Sequence, residues 1–244
     1  MDLIPQNTQF PIFCFGDKRI TVKKDKLLNE LRPTVYHLEL EEPRFGLPET
    51  VIVKQQKHGR EAEFCNEITA YKRLRILQGT VIPTLFGRGS FNGLPALILS
   101  EVEGITLRDL AKVVEPSFQE KALETQLEKA FQELHKYGAE HYDLNLGNFL
   151  FCNNGQVVVI DLEEVEFPDR QQAWERSVNL GCVSNLMSRF RDVRYPRRAP
   201  SPVVCWRSCT GDDDDKSGSE APGSCYSMGL VSRGGIMKPG FVTL

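Results

Sequence analysis

The first half of the chain alternates between strand-like runs and a single helical stripe. Residues 34–41 alternate between apolar and polar positions, and residues 50–54 are rich in β-branched side chains, so both runs predict β-strands. Strand-like runs return at residues 83–91 and 96–100. Residues 60–77 instead show helical spacing. The apolar stripe of this helix consists of Phe64, Ile68, Tyr71 and Leu74. We therefore predict an N-terminal antiparallel sheet accompanied by one helix.

The second half begins with a helical pattern and continues into a hairpin. Residues 106–113 predict a short helix, and Ser117 with Glu120 forms a capping-box sequence that opens a longer one. The apolar face of the longer helix consists of Leu123, Leu127, Ala130, Phe131 and Leu134. After a polar loop, an Asn-Gly pair at residues 154–155 separates two apolar runs and predicts a β-hairpin. The pattern predicts a last helix over residues 174–191.

Composition and charge narrow the classes of function. The chain has 244 residues, of which 41% are hydrophobic and 26% are charged, a balance typical of globular proteins. The formal net charge of −3 argues against a nucleic-acid partner. The N-terminus lacks the basic and apolar regions of a signal peptide, and no apolar run is long enough to span a bilayer. We therefore expect no membrane partner and a cytoplasmic protein, with the nucleus as an alternative.

Five side chains in these segments match what phosphoryl transfer from ATP requires. The reaction needs oxygen ligands for divalent metal ions, a lysine for the phosphates and a carboxylate that orients or deprotonates the acceptor hydroxyl. Asp143 and Asn148 lie on the polar loop after the long helix, and Asp161 ends the apolar strand that follows. Lys54 ends an otherwise apolar strand, and Glu67 on the next helix is a candidate partner for a buried lysine.

The order and spacing of four motifs resemble the protein-kinase-like superfamily. Residues 51–54 resemble the kinase strand V-A-I-K, residues 141–148 resemble the catalytic loop H-R-D-L-x-x-x-N, and residues 161–163 stand where D-F-G would be. Residues 101–104 look like the hinge between the lobes. The loop is also similar to that of aminoglycoside and choline phosphotransferases and of fungal kinase-like proteins. The resemblance implies an α+β, bilobal kinase-like fold that binds ATP and Mg²⁺.

The same resemblance gives a role to each matching residue. Asp143 is the implied catalytic base, and Lys54 is implied to contact the α and β phosphates. Glu67 is implied to pair with Lys54, and Glu63, one helical turn earlier, is the alternative partner. His141 is implied to be a structural residue of the loop. The implied magnesium ligands are Asn148 and Asp161. The implied adenine-binding hinge consists of Glu101, Val102 and Glu103.

In this interpretation the chain divides into four segments. An N-terminal extension covers residues 1–26, and a kinase-like N-lobe with the sheet and its helix covers residues 27–102. A reduced, mostly helical C-lobe with the catalytic loop covers residues 103–194. Residues 195–244 combine Pro, Arg, Ser and Gly with a run of four aspartates and show no sustained period, which predicts a disordered tail.

Three departures from the kinase pattern leave more than one function open. Residues 28–35 contain no glycine where a kinase carries its glycine-rich loop, and position 145 is Asn where protein-serine/threonine kinases carry a lysine. The chain after Asp161 is also short for a full C-lobe. The first hypothesis is an ATP-dependent phosphotransferase acting on a hydroxyl of a protein or small molecule. The alternatives are a catalytically inactive kinase-like binding module and a truncated gene product, suggested by the change in composition near Tyr195.

Overall fold

The computed structural model describes residues 11–28, 33–113, 118–168 and 179–196. It confirms a mixed α and β chain with an antiparallel N-terminal sheet. The sheet has seven strands in the order β2-β1-β6-β7-β5-β4-β3, and every neighbouring pair is antiparallel. Its strands are β1 (Phe13–Phe15), β2 (Lys18–Ile20), β3 (Val22–Leu27), β4 (Val35–Leu40), β5 (Thr50–Gln55), β6 (Leu85–Phe91) and β7 (Leu94–Leu99).

Strands β1 to β3 extend the sheet beyond the boundary drawn from the sequence. Residues assigned above to an N-terminal extension instead supply β1, β2 and most of β3. Strands β1 and β2 are three residues long, too short to show an alternation. Strand β3 is an edge strand whose side chains are mostly exposed and charged, so it lacks the apolar face that would have marked it.

The sheet buries apolar side chains on both faces. One face packs against a helix, and the other contributes to a second apolar cluster. Val51 and Val53 of β5 belong to an apolar cluster formed by the sheet strands, whereas Ile52 belongs to the larger core. Helix α1 (Glu61–Arg73) and the 3₁₀ helix Arg75–Leu77 pack into that larger core. All four residues predicted for the apolar stripe of this helix are buried. Strand β5 thus carries side chains to α1 at every second position.

The second half contains three helices and five short strands among the residues that the structure describes. The helices are α2 (Leu107–Leu110), α3 (Glu120–Lys136) and α4 (Asn179–Arg194). The strands are β8 (Gly104–Thr106), β9 (Glu140–His141), β10 (Phe149–Cys152), β11 (Val157–Val159) and β12 (Val165–Glu166). The predicted hairpin is present as β10 and β11, with β8 as a third strand, and β9 pairs with β12. The five apolar positions predicted for α3 are all buried.

Several helix boundaries differ from those read in the sequence. Helix α3 begins at Glu120, with Gln119 as an N-cap that makes no side-chain hydrogen bond, so the predicted capping box does not open it. Ser117 lies outside the described residues, as do residues 174–178 of the last predicted helix and residues 197–244 of the predicted tail. Helix α2 is short, and the Oγ1 of Thr106 caps it by accepting from the amide of Asp109. Within the described ranges no helix combines the length and apolarity needed to cross a bilayer.

Candidate functional site

The site is built around Lys54, near the end of the interior strand β5. Lys54 points to the same side of the sheet as Ile52, toward α1, and only 5% of the residue is exposed. Its Nζ lies 2.9 Å from Oε1 and 2.8 Å from Oε2 of Glu67, which is completely buried on the apolar face of α1. Glu63 instead pairs with Arg60 at 3.0 Å. The structure therefore brings Lys54 to the glutamate favoured in the sequence analysis.

Two further carboxylates reach Lys54 from the segment that follows β11. Its Nζ donates to Oδ1 of Asp161 at 2.9 Å and lies 3.0 Å from Oε1 of Glu163. The Nζ of Lys57 donates to both carboxylate oxygens of Glu163 at 2.8 Å. One carboxylate oxygen from each of Glu67, Asp161 and Glu163 lies within 4.8 Å of the other two. Three carboxyl groups thus face two ammonium groups, which leaves one negative charge in excess when all three are ionised.

Helix α1 holds this segment in place through a second polar side chain. The Nδ2 of Asn66 donates to the backbone oxygens of Glu163 at 2.8 Å and of Val165 at 3.0 Å. The amide of Leu162 donates to Oε1 of Glu67 at 3.5 Å. One turn of α1 therefore fixes both the lysine partner and the backbone beyond Asp161.

Burial and charge act in opposite directions on the ionisation of this cluster. Burial raises the pKa of Glu67 to about 7, although the ammonium of Lys54 lowers it in part. Burial also lowers the pKa of Lys54, but the charges of Glu67, Asp161 and Glu163 outweigh burial and raise it overall. At Glu163 burial raises the pKa, yet Lys54 and Lys57 bring it below its ordinary value. Lys54 therefore remains charged at neutral pH. Of the two glutamates, Glu67 binds a proton more readily than Glu163.

The predicted catalytic loop forms a tight turn around Asp143. Oδ1 of Asp143 accepts from the amide of Asn145 at 3.0 Å, and Oδ2 accepts from Nδ2 of Asn148 at 2.6 Å. The side chain of Asn145 caps the 3₁₀ helix Leu146–Asn148 by accepting from the amide of Gly147 at 2.9 Å. The two residues predicted to act together, Asp143 and Asn148, are therefore in direct contact.

Backbone contacts join this loop to Asp161. The amide of Ile160 donates to the backbone oxygen of Asn148 at 2.9 Å. The Nε2 of His141 donates to the backbone oxygen of Asp161 at 2.7 Å, and the imidazole is fully buried against Phe149. Burial lowers the pKa of His141, so the ring is neutral at pH 7. His141 thus has the structural position predicted for it, and it ties the loop to the Lys54 cluster.

The predicted hinge residues lie apart from this polar cluster. A cavity of about 320 Å³ is lined by Glu101, Val102 and Glu103 together with residues around positions 79–82 and 152–158, and its lining does not include Lys54, Asp143 or Asp161. Oε1 of Glu101 lies 3.2 Å from Nε2 of His37. The connection between hinge and site is apolar, because Val102 and Ile160 both pack against a small buried cluster. That cluster consists of Leu150, Cys152 and Val158.

The oxygen atoms at the site suit a hard divalent cation. The Oδ1 of Asn148 is buried and accepts no hydrogen bond within the part of the chain that the structure describes, while its Nδ2 is used by Asp143. An amide oxygen of this kind and the carboxylate of Asp161 are ligands that Mg²⁺ prefers. Glu67, Asp161 and Glu163 form a second set of oxygens that could hold a metal ion. The residues present therefore fit a magnesium ion.

Lys57 and Glu163 belong to the site in the structure, although neither is among the site residues that the sequence predicts. Glu163 was visible in the Asp-Leu-Glu motif only as a departure from D-F-G, and Lys57 follows β5 with no motif around it. The signal in the sequence is a pair of opposite charges: Lys57 lies shortly after Lys54, and Glu163 lies shortly after Asp161. No protein-family model and no curated protein sequence matches this chain.

Proposed function

We propose that the chain is an ATP-dependent phosphotransferase of the protein-kinase-like superfamily, which moves the γ-phosphate of Mg-ATP to a hydroxyl of a protein or small molecule. One observation carries the proposal. Lys54 contacts Glu67 of α1 and Asp161, 107 residues away, while Asp161 is joined through its backbone to the loop that holds Asp143 and Asn148. This is the set of groups that phosphoryl transfer requires.

The proposal assigns a kinase-like architecture to the two halves of the chain. The seven-stranded sheet with α1 is the counterpart of an N-lobe, and the region from β8 to α4 is the counterpart of a reduced C-lobe. Support comes from the position of Lys54 on an interior strand and from the hairpin β10–β11 between Asn148 and Asp161. The apolar cluster of Leu150, Cys152 and Val158, against which Val102 and Ile160 pack, would contact one face of the adenine ring.

Each of these residues has a separate role in the proposed phosphoryl transfer. Lys54 binds the phosphates, and Glu67 keeps its ammonium in position. Asp143 accepts the proton of the acceptor hydroxyl while the hydroxyl oxygen bonds to the γ-phosphorus and the bond to the β-phosphate oxygen breaks, releasing ADP. The amide of Asn145 and the Nδ2 of Asn148 orient the Asp143 carboxylate for this step. Asn148 and Asp161 would hold magnesium, which neutralises charge on the phosphates when bound.

A non-catalytic kinase-like module is the second candidate, and one observation favours it. The carboxylate of Glu163 lies 3.0 Å from the Nζ of Lys54, so a phosphate oxygen would have to compete with it for this ammonium group. Residues 28–35 also contain no glycine, so they lack the conformational freedom with which a glycine-rich loop turns its amides toward the phosphates, and Pro33 has no amide to donate. A module of this kind would bind partners without turning over ATP.

Nucleotide binding and turnover by matched variants test the proposal. Thermal stability with and without Mg-ATP, and ATP turnover, are measured for the wild type, Asp161→Asn, Asp143→Asn and the control Asp192→Asn, an exposed position on α4. We expect Asp161→Asn to lose the Mg-ATP shift and Asp143→Asn to keep the shift but lose turnover. A wild type without any nucleotide-dependent shift refutes the proposed function. Binding without turnover in the wild type favours the second candidate.

A further inference from the structure

Two lysines share one carboxylate at this site. Both oxygens of Glu163 accept from Nζ of Lys57 at 2.8 Å, and its Oε1 lies 3.0 Å from Nζ of Lys54. The Lys57 side chain is 36% exposed, whereas that of Lys54 is 7% exposed, so Lys57 forms the solvent side of the cluster. Lys57 lies on the connection between β5 and α1, two elements that already position Lys54 and Glu67.

We propose that Lys57 is a second phosphate-binding lysine of this site and that Glu163 holds it beside Lys54. The inference rests on the proposed function. Two ammonium groups that share a carboxylate are spaced so that one phosphate group, which offers several charged oxygens, can contact both of them. Lys57 therefore extends the phosphate-binding surface from the buried lysine toward solvent.

The chain has a specific need for an additional cation at the phosphates. Residues 28–35 contain no glycine, and position 145 is an asparagine whose side chain is used to cap a 3₁₀ helix. Among the described residues around Lys54 the carboxylates outnumber the ammonium groups, even with Lys57 included. Without Lys57 a single ammonium group would face the three carboxyl groups, so the site would attract the phosphates less strongly.

A purely structural role for Lys57 makes a different prediction. A partly exposed ion pair contributes little to folding, so the Lys57–Glu163 pair has no strong stabilising function of its own. If it were only such a pair, its loss would leave nucleotide affinity unchanged. If Lys57 binds phosphate, its loss lowers the affinity for ligands that carry phosphate groups and leaves the affinity for ligands without them unchanged.

Calorimetric titration of the full chain with three ligands separates these roles. Mg-ATP, Mg-ADP and adenosine are compared for the wild type, Lys57→Met, Lys57→Arg and the control Lys72→Met, an exposed lysine on α1. We expect Lys57→Met to raise the Kd for Mg-ATP about tenfold, the loss of one charge-assisted contact, with less than about a twofold change for adenosine. Lys57→Arg should keep most of the affinity, and Lys72→Met should match the wild type.

The outcomes distinguish the inference from the function on which it rests. Wild-type and Lys57→Met affinities for Mg-ATP that agree within about twofold overturn the inference while leaving the proposed function intact. Adenosine binding to Lys57→Met shows that the variant is folded, and parallel loss of adenosine and ATP binding also counts against a phosphate contact. A wild type that binds neither nucleotide overturns the proposed function and the inference together.

Discussion

Replacing Lys54 with methionine tests the buried centre of the site through folding stability. Methionine keeps a flexible apolar side chain of similar length but removes an ammonium group that lies within 3.0 Å of three carboxylates. Glu163 retains Lys57 as a partner, whereas Glu67 is fully buried and is left without a cation. Removing one partner of a buried ion pair costs about 3–5 kcal/mol because the remaining charge stays out of water. A domain with 5–15 kcal/mol of stability would show this loss clearly.

The pH dependence of this loss follows from Glu67. Burial raises the pKa of Glu67 from 4.5 to about 7, so the folded chain keeps a proton that the unfolded chain releases above pH 4.5. The stability from this proton is complete below pH 4.5 and is lost as the pH rises through about 7. In Lys54→Met the pKa of Glu67 rises further, so the loss continues above pH 7 at about 1.4 kcal/mol per pH unit.

Urea unfolding at about pH 6 and about pH 8.5 measures both effects. We expect Lys54→Met to lose more stability at the higher pH, and Lys54→Met with Glu67→Gln to recover at least about 1 kcal/mol there, because a neutral amide replaces the unpaired carboxylate. The m-values should match those of the wild type, and Lys72→Met should change stability by less than about 0.5 kcal/mol. Equal losses at both pH values, with no recovery in the double variant, would refute the buried pair.

Three further substitutions test the packing around the site and in the rest of the fold. Asn66→Ala leaves the backbone oxygens of Glu163 and Val165 without the side-chain amide that donates to them. We therefore expect the free energy of unfolding, measured in urea, to fall by about 1–3 kcal/mol. An unchanged unfolding midpoint would contradict the role of these hydrogen bonds in holding the segment to α1. Gly89→Ala would drive its Cβ into a backbone oxygen of β1, so we expect more than about 2 kcal/mol of destabilisation. Gly181→Ala, in an open position on helix α4, should instead raise the Tm, because alanine stabilises a helix by about 0.5–1 kcal/mol relative to glycine. A Gly89→Ala variant more stable than Gly181→Ala would contradict these packing environments.

Local patterns in the sequence were sufficient for the elements that carry the site. The helical stripe of α1 and the apolar face of α3 repeat at regular intervals, and each predicted position is buried. The Asn-Gly turn predicted the hairpin β10–β11, which separates Asn148 from Asp161. These features depend on residues a few positions apart, so a periodic pattern or a turn signal is enough to predict them.

The shortest strands could not be read in the same way. Strands β1 and β2 have three residues each, and β9 and β12 have two, so none is long enough to show an alternation. The places of β1, β9 and β12 depend on hydrogen bonds to strands that are distant along the chain, and β2 joins the sheet only through β1. A capping-box sequence at residues 117–120 was likewise insufficient to set the start of α3.

The sequence by itself determined the candidate residues, because residue type, spacing and the kinase resemblance together predicted the set that the structure brings into contact. These residues are Lys54, Glu67 and Asp161 in one group and Asp143 and Asn148 in the other. Only the tertiary structure decided how their charges are balanced. Lys57 and Glu163 are separated by 106 positions and meet because α1 holds the segment after Asp161 against the end of β5. The partner of a charged side chain depends on contacts across the whole chain, and no local pattern specifies it.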